Sequence, residues 1–482
     1  MRTSAVACVV LVVALAATAG AQIPLIDAVK RGDRAAVRTL LQQQADANAS
    51  EPDGTTVLHW AAQEDDPDAV RLLLSAGAKA ESANRYGVTP LQLAAVNGNA
   101  AIAKMLLEAG ADPDAVLPEG ETVLMTAART GRVDLLQVLL DAGAEPSARE
   151  RWYGEDALIW AVAENHADAA QLLIDRGSDP DARSAKLDFP RRRNGQSVLS
   201  LGSWTPLMYA ARENALDSAR TLVKARVDLD AVDPDGATAL VVAIINANYE
   251  FAAFLLDAGA DPNVVDNEAG MGPLYAAVDM HRLAVGHGRP NPRLTGTMDA
   301  VDVVKLLLAH KADPNARLKA PLLQRHHTGG DASLGAGATP IMRAAKSGDV
   351  EMMKVLLASG ADPRMTMPNQ STVLMYAAGL GWRDGSPAAP SYDQGSPEEA
   401  AAAIELLLGL GLDINAANAN GETALHAAVT GRGDETIVGA LITHGASLQA
   451  VNKRGQTPLA AALASRKDVS RLVTLLQEAE RF

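Results

Sequence analysis

Cysteine is nearly missing from this chain: 482 residues carry one, Cys8. No disulfide can form within it, so the fold must rest on burial alone, even in a compartment that permits disulfides. Positive charge is in deficit, with 43 Lys and Arg against 58 Asp and Glu and a formal net charge of −15. That balance argues against non-specific attraction to DNA, RNA or anionic lipid over most of the surface, but leaves room for a local basic patch. Aromatics make up 3% of the residues, so each one at an exposed turn is informative. The main apolar run, Ala5 to Ala17, is short against the ~20 residues a spanning helix needs. HExxH, Walker, GxSxG and CxxC motifs are absent, and with them the usual signatures of zinc hydrolysis, nucleotide hydrolysis, serine esterase chemistry and dithiol redox.

The segment Met1–Ala21 has the layout of a secretory signal: Arg2, then the apolar stretch, then Ala19-Gly20-Ala21 as small residues at a cleavage site. This predicts export to the periplasm or the outside of the cell, a mature chain starting near Gln22, and no membrane-spanning segment after cleavage. Cys8 would be lost with the signal.

What the chain has in abundance is one repeated phrase. Its anchor is an aliphatic residue, at Leu25, Leu58, Leu91, Leu124, Leu158, Leu207, Leu240, Leu274, Ile341, Leu374, Leu425 and Leu459. Most intervals are 33 or 34 residues, a period that signals stacked repeats in one continuous array, 22–482. Within one period, Thr89 is a helix N-cap and Pro90 suits the first helical position. Leu91, Ala94 and Ala95 share a face, and Asn97-Gly98-Asn99 ends that helix. A second helix follows with Ile102, Met105, Leu106 and Leu107 on its expected buried side, closed by Gly110. Asp112-Pro113-Asp114 then leads into a hairpin-like excursion.

Thr-Pro-Leu and Gly-Ala-Asp-Pro at 33-residue spacing, recurring about twelve times in register, resemble the ankyrin repeat family. The resemblance implies an all-α ankyrin-repeat solenoid of about twelve helix-turn-helix repeats, with partners taken on a concave face of hairpin tips and inner helices. The histidine common after the anchor in that family remains only as His59 and His426. Gln92, Met125, Ile159, Met208, Val241, Tyr275, Met342, Met375 and Ala460 replace it elsewhere, which implies packing in place of a polar link.

The period is broken three times, by intervals of 49, 67 and 51 residues ending at Leu207, Ile341 and Leu425. The excess resolves into hairpin insertions at about 183–203 and 317–337, and inter-helix insertions at about 281–298 and 381–397. Long insertions are cheap in surface loops, which often carry function. The hairpin insertions carry Arg191-Arg192-Arg193 and Arg325-His326-His327, two basic fingers on an acidic body. Tyr86 with Arg85, and Trp152-Tyr153, stand at hairpin tips, and Tyr, Trp and Arg dominate binding hot spots.

Other groupings carry less. His326-His327 with His281, His287 or His310 has imidazoles but no fixed carboxylate frame for a metal. Arg31-Gly32-Asp33 and Arg432-Gly433-Asp434 fall in turns that need glycine anyway, and Asp233-Pro234-Asp235-Gly236 lacks the spaced ligands of a calcium loop.

The sequence thus predicts an exported, non-catalytic scaffold without metal or cofactor. It would bind a protein, acidic where it meets the fingers, through Arg85, Tyr86, Trp152, Tyr153, Arg191, Arg192, Arg193, Arg325, His326 and His327. The rival readings are an anionic glycan or cell-envelope ligand on the same fingers, and an enzyme built on the insertions.

Overall fold

A computed structural model describes residues 24–187, 201–282, 293–321, 334–382, 395–465 and 470–481. The signal segment, Arg191–Arg193 and Arg325–His327 lie outside the described residues, as does most of each insertion. The chain divides into two compact units, Met1–Ala185 with Asp217–Ala225, and Lys186–Leu216 with Arg226–Phe482.

The first unit holds five helix pairs: Pro24–Lys30 with Arg34–Gln42, Val57–Gln63 with Pro67–Ser75, Pro90–Asn97 with Ala100–Glu108, Val123–Thr130 with Val133–Asp141, and Ala157–Ala163 with Ala167–Asp175. They are numbered repeats 1 to 5. The outer helix of repeat 6, Leu216–Lys224, belongs with them. The second unit holds the inner helix of repeat 6, Pro206–Glu213, and repeats 7 to 12, from Ala239–Ile245 to Ser470–Ala479. Among the described residues the 24 helices make twelve pairs.

Local chemistry explains each pair. Thr89 Oγ1 accepts from the Gln92 N–H at 3.2 Å, so the cap satisfies an orphan donor of the first turn. Pro90 sits at the first turn, where its missing N–H costs nothing. The outer helix ends before Gly110, whose φ of +93° is open to glycine and strained for other residues. Eleven anchors are buried and Leu459, in the terminal repeat, is half-buried. On the outer helix of repeat 3 the sequence expectation needs correcting. Ile102 and Leu106 are fully enclosed, whereas Met105 and Leu107 are only half-buried.

Successive repeats are joined along two edges. At the hairpins, the N–H of Arg85 donates to Asp53 O at 2.8 Å, Arg151 to Glu119 O at 2.9 Å and Ala185 to Tyr153 O at 2.6 Å. In the second unit Asn267, Lys319, Ala419 and Lys453 repeat the bond to the preceding hairpin. Pro118 and Pro368 occupy the donor position in their own hairpins, and without an N–H they cannot make it. At the far end of the outer helices, the Asn48 amide accepts from Lys79 N–H at 2.9 Å and donates to Gly77 O at 3.1 Å. Asn263, Asn315 and Asn415 accept equivalent bonds in the second unit.

The described ends of the insertion at 183–203 carry a two-residue antiparallel ladder, Lys186 opposite Gly202 and Leu187 opposite Leu201. Among the described residues it is the one two-stranded ladder, beside isolated bridges between Ser50 and Thr56, Val116 and Thr122, and Val232 and Thr238. The inter-helix stretches 282–299 and 378–396 fall within repeats 8 and 10, between their paired helices.

The histidine position shows what the substitutions cost. His59 Nδ1 lies 2.7 Å from Thr56 Oγ1 and 3.1 Å from Thr56 N, and Nε2 lies 2.9 Å from Val88 O of the next repeat. The network assigns the proton to Nε2, with Nδ1 as acceptor. Burial depresses the His59 pKa, which keeps this neutral form. His426 repeats the arrangement with Thr423 and Gln456 O. Met125, Met208 and Met342 replace it by enclosed apolar packing. Gln92 does not: it is 3% exposed and both polar atoms of its amide lack a partner. A buried unpaired amide costs stability, whereas a histidine here would meet the Glu121 carbonyl, equivalent to Val88 O. Gln92→His should therefore raise stability by about 1 kcal/mol, seen as a higher urea midpoint for the first unit. An unchanged midpoint would show that the backbone there cannot present its carbonyl.

Candidate partner-binding site

The hairpin of repeat 5 is built around one buried carboxylate. Glu150, 7% exposed, accepts from the backbone N–H groups of Trp152, Tyr153 and Glu155 at 2.6, 2.7 and 3.0 Å. Three charge-assisted bonds fix the turn in one conformation. Gly154 has φ of +62°, and a Cβ there would come within 2.8 Å of Ala185, so the next hairpin packs directly against it. The Arg149 guanidinium donates to the carbonyls of Gly154 and Arg183, and that of Arg151 to Pro118 O. The turn therefore holds Trp152 and Tyr153 rigidly while leaving them 67% and 55% exposed.

Two repeats earlier, Tyr86 is 41% exposed. Arg85 lies over its ring at 4.8 Å and donates to its hydroxyl at 2.6 Å, a stacked pair at a hairpin tip. Layers spaced at ~10 Å put these aromatics roughly 20 Å apart along one column of tips. Arg85, Tyr86, Trp152 and Tyr153 are thus brought to one edge of the first unit. Arg191, Arg192, Arg193, Arg325, His326 and His327 lie outside the described residues.

The inner-helix face adds residues that the sequence reading passed over. Trp60 and Trp160 are half-buried, with Lys30 3.7 Å from the Trp60 ring centroid and Arg129 5.6 Å from that of Trp160. Lys30 is also paired with Glu51 at 2.7 Å. The signal was available: each Trp follows its anchor, Leu58 or Leu158, by two residues. The same position in repeats 7, 9 and 10 holds Val242, Arg343 and Tyr376, all buried. Every residue of the inner helices Ala239–Ile245, Pro340–Lys346 and Val373–Ala377 is buried. At this position the inner-helix surface is half-open at Trp60, Leu93 and Trp160 of repeats 2, 3 and 5, and closed at Thr126 of repeat 4 and in those repeats.

The second unit contains a buried charged network instead. Arg343, 1% exposed, donates to Asp279 and to Ser347 Oγ. His281 Nδ1 is 2.5 Å from Asp349 Oδ2, and Arg282 spans from Asp349 to Glu399, 2.7 Å away. The hydrogen bond to Asp349 raises the His281 pKa against the effect of burial. Burial pushes the Asp349 carboxyl up, but the bond and charge of His281, the Met352 N–H and Arg282 together hold it below the usual range. Histidine thus gives stability that falls as pH rises through its raised pKa, and aspartate gives stability that falls as pH drops through its lowered one. The pair is strongest between about pH 4 and 6.5. These groups are committed to one another and join repeats 8, 9 and 10. Arg432 of repeat 11, from the second Arg-Gly-Asp, donates to the carbonyls of Gly395 and Ser396. It has structural work in its turn.

The family model for ankyrin repeats (3 copies) matches residues 25–116, 109–184, 191–266, 298–384 and 396–480, most of the chain. The chain belongs to the ankyrin-repeat family. Ankyrin repeats bind proteins. The chain is 29% identical over 162 residues to the B-cell lymphoma 3 protein homolog of Mus musculus, covering 34% of this chain and 28% of that protein. It thus spans under a third of that curated relative's length. The human ASB11 ankyrin repeat domain aligns at 24% identity with a TM-score of 0.39, over 46% of this chain and 92% of that one.

Among the described residues no helix is long and apolar enough to cross a membrane, and no group of three His, Cys, Asp or Glu is placed to hold a metal.

Proposed function

We propose that this ankyrin-repeat protein is an exported, non-catalytic scaffold that takes a protein partner on the hairpin tips and inner-helix face of repeats 2 to 5. One observation carries the reading: Trp152 and Tyr153 stand 67% and 55% exposed on a turn locked by the buried Glu150. Large exposed aromatics cost solubility, and rigid ones lose little entropy on binding, which is the profile of an interface anchor. Tyr86 and the half-open Trp60 and Trp160 extend the same surface. Export rests on the signal-like Met1–Ala21 and on a chain that loses its one cysteine with that segment.

The test is affinity capture from the cell envelope with the full chain, run beside Trp152→Ser/Tyr153→Ser and beside Lys104→Ser on an outer helix. The partner should be retained by wild type and Lys104→Ser and fall at least ~10-fold with the tip variant, the scale of losing hot-spot residues. Equal recovery by all three would remove the tips from the interface. N-terminal sequencing of exported protein should begin near Gln22, and intact Met1 would refute processing.

A further inference from the structure

The hairpin of repeat 5 separates its charges. Residues 149–156 contain two arginines and three carboxylates, Glu150, Glu155 and Asp156, so by composition the segment is acidic. In the fold all three acids are turned inward: Glu150 is 7%, Glu155 4% and Asp156 2% exposed. Glu150 is occupied by three backbone N–H groups, and Asp156 caps the inner helix by accepting from Ile159 N–H at 2.9 Å. Burial holds the Asp156 carboxyl above its ordinary range even though Arg149 favours its charged form. What the hairpin displays outward is Arg149, Arg151, Trp152 and Tyr153.

The two guanidiniums are bonded to carbonyl oxygens, which satisfy some of their N–H groups without cancelling their charge. On a chain of net charge −15 this is a cationic, aromatic tip. Arg85 and Tyr86 repeat the pairing two layers away. The exposed Glu119 on the intervening hairpin is the opposing charge, and a partner must place its acids away from it.

From this charge separation we infer that the repeat 5 hairpin recognises an acidic protein segment, whose carboxylates meet Arg149 and Arg151 while an apolar side chain packs on Trp152 and Tyr153. The inference rests on the proposed function and names its partner class. A protein segment is favoured over an acidic sugar because the tip is highly exposed, whereas small-ligand sites enclose most of the ligand in a concavity. A peptide that lies along the tip column supplies both charge and apolar contact.

The test uses the full chain and two fluorescein-labelled peptides read by anisotropy, one of alternating Glu and Leu and one of alternating Lys and Leu. The Glu peptide should bind saturably and at least ~10-fold tighter than the Lys peptide, with affinity falling as salt rises. Arg149→Ser/Arg151→Ser should cost at least ~10-fold and flatten the salt slope. Trp152→Ala should weaken binding at every salt concentration. Glu119→Gln should tighten binding about two- to threefold by removing the opposing charge. Trp152→Ala and Glu119→Gln should keep the wild-type urea midpoint, whereas Arg149→Ser/Arg151→Ser also removes the bonds to the Gly154, Arg183 and Pro118 carbonyls, so for that variant the flattened salt slope is the deciding readout.

No saturable binding of the Glu peptide, equal binding of the Lys peptide, or an unchanged salt slope in the double Ser variant would overturn the acidic-segment assignment. Polygalacturonate displacing the peptide at lower carboxylate concentration than the peptide itself would assign the tip to an acidic glycan instead. The envelope capture separates this failure from the larger one. If capture still depends on Trp152 and Tyr153, the tip remains an interface and only the partner chemistry is wrong.

Discussion

Replacing Arg343 by Ala should destabilise the second unit by about 3–5 kcal/mol, the cost of leaving one member of a buried ion pair alone. Arg343 is 1% exposed and its partner Asp279 is 4% exposed on the inner helix of repeat 8. Without the guanidinium, the buried Asp279 carboxylate loses this cation and Ser347 loses its donor. The double variant Arg343→Met/Asp279→Leu should recover part of that loss, because similar apolar volume replaces both members of this pair. Hydrogen exchange resolved by repeat is the fitting measurement, since repeat arrays open locally. Faster exchange should centre on repeats 8 to 10 in the single variant and return towards wild type in the double. A single variant with unchanged exchange would mean that the network adds no stability.

Leu106→Ala should cost about 2–5 kcal/mol, combining lost burial with the cavity left behind. Leu106 is fully enclosed on the outer helix of repeat 3, which packs against those of repeats 2 and 4. Each neighbour loses contact, so the opening should spread to repeats 2 and 4 before it reaches the rest of the unit. Leu107→Ala is the paired control. That side chain is half-buried, so less area and a smaller cavity are involved, and the loss should be less than half as large. Equal urea midpoints for the two variants would contradict the packing seen here.

The sequence by itself determined the repeat. Threonine caps, proline at the first helical turn, the enclosed anchors and the glycines after outer helices are local requirements, so their 33-residue recurrence was readable without coordinates. The tips holding Tyr86 and Trp152-Tyr153 followed from the same phase, as did the insertions as departures from it. The direction of side chains within a hairpin was a different matter. Composition makes the repeat 5 turn acidic, and only the fold shows that Glu150 is spent on three backbone amides and Asp156 on a helix cap, leaving arginine and aromatics outside.

The tertiary structure likewise decided the separation of Leu106 from Leu107, which are neighbours in one apolar run but lie about 100° apart around a helix. It also decided the position two residues after the anchor, which is half-buried as Trp60 and fully enclosed as Arg343. Repeat periodicity states that a position recurs. What covers that position depends on neighbouring elements, on the charges they bring and on which backbone groups remain unpaired, and these are properties of the assembled stack.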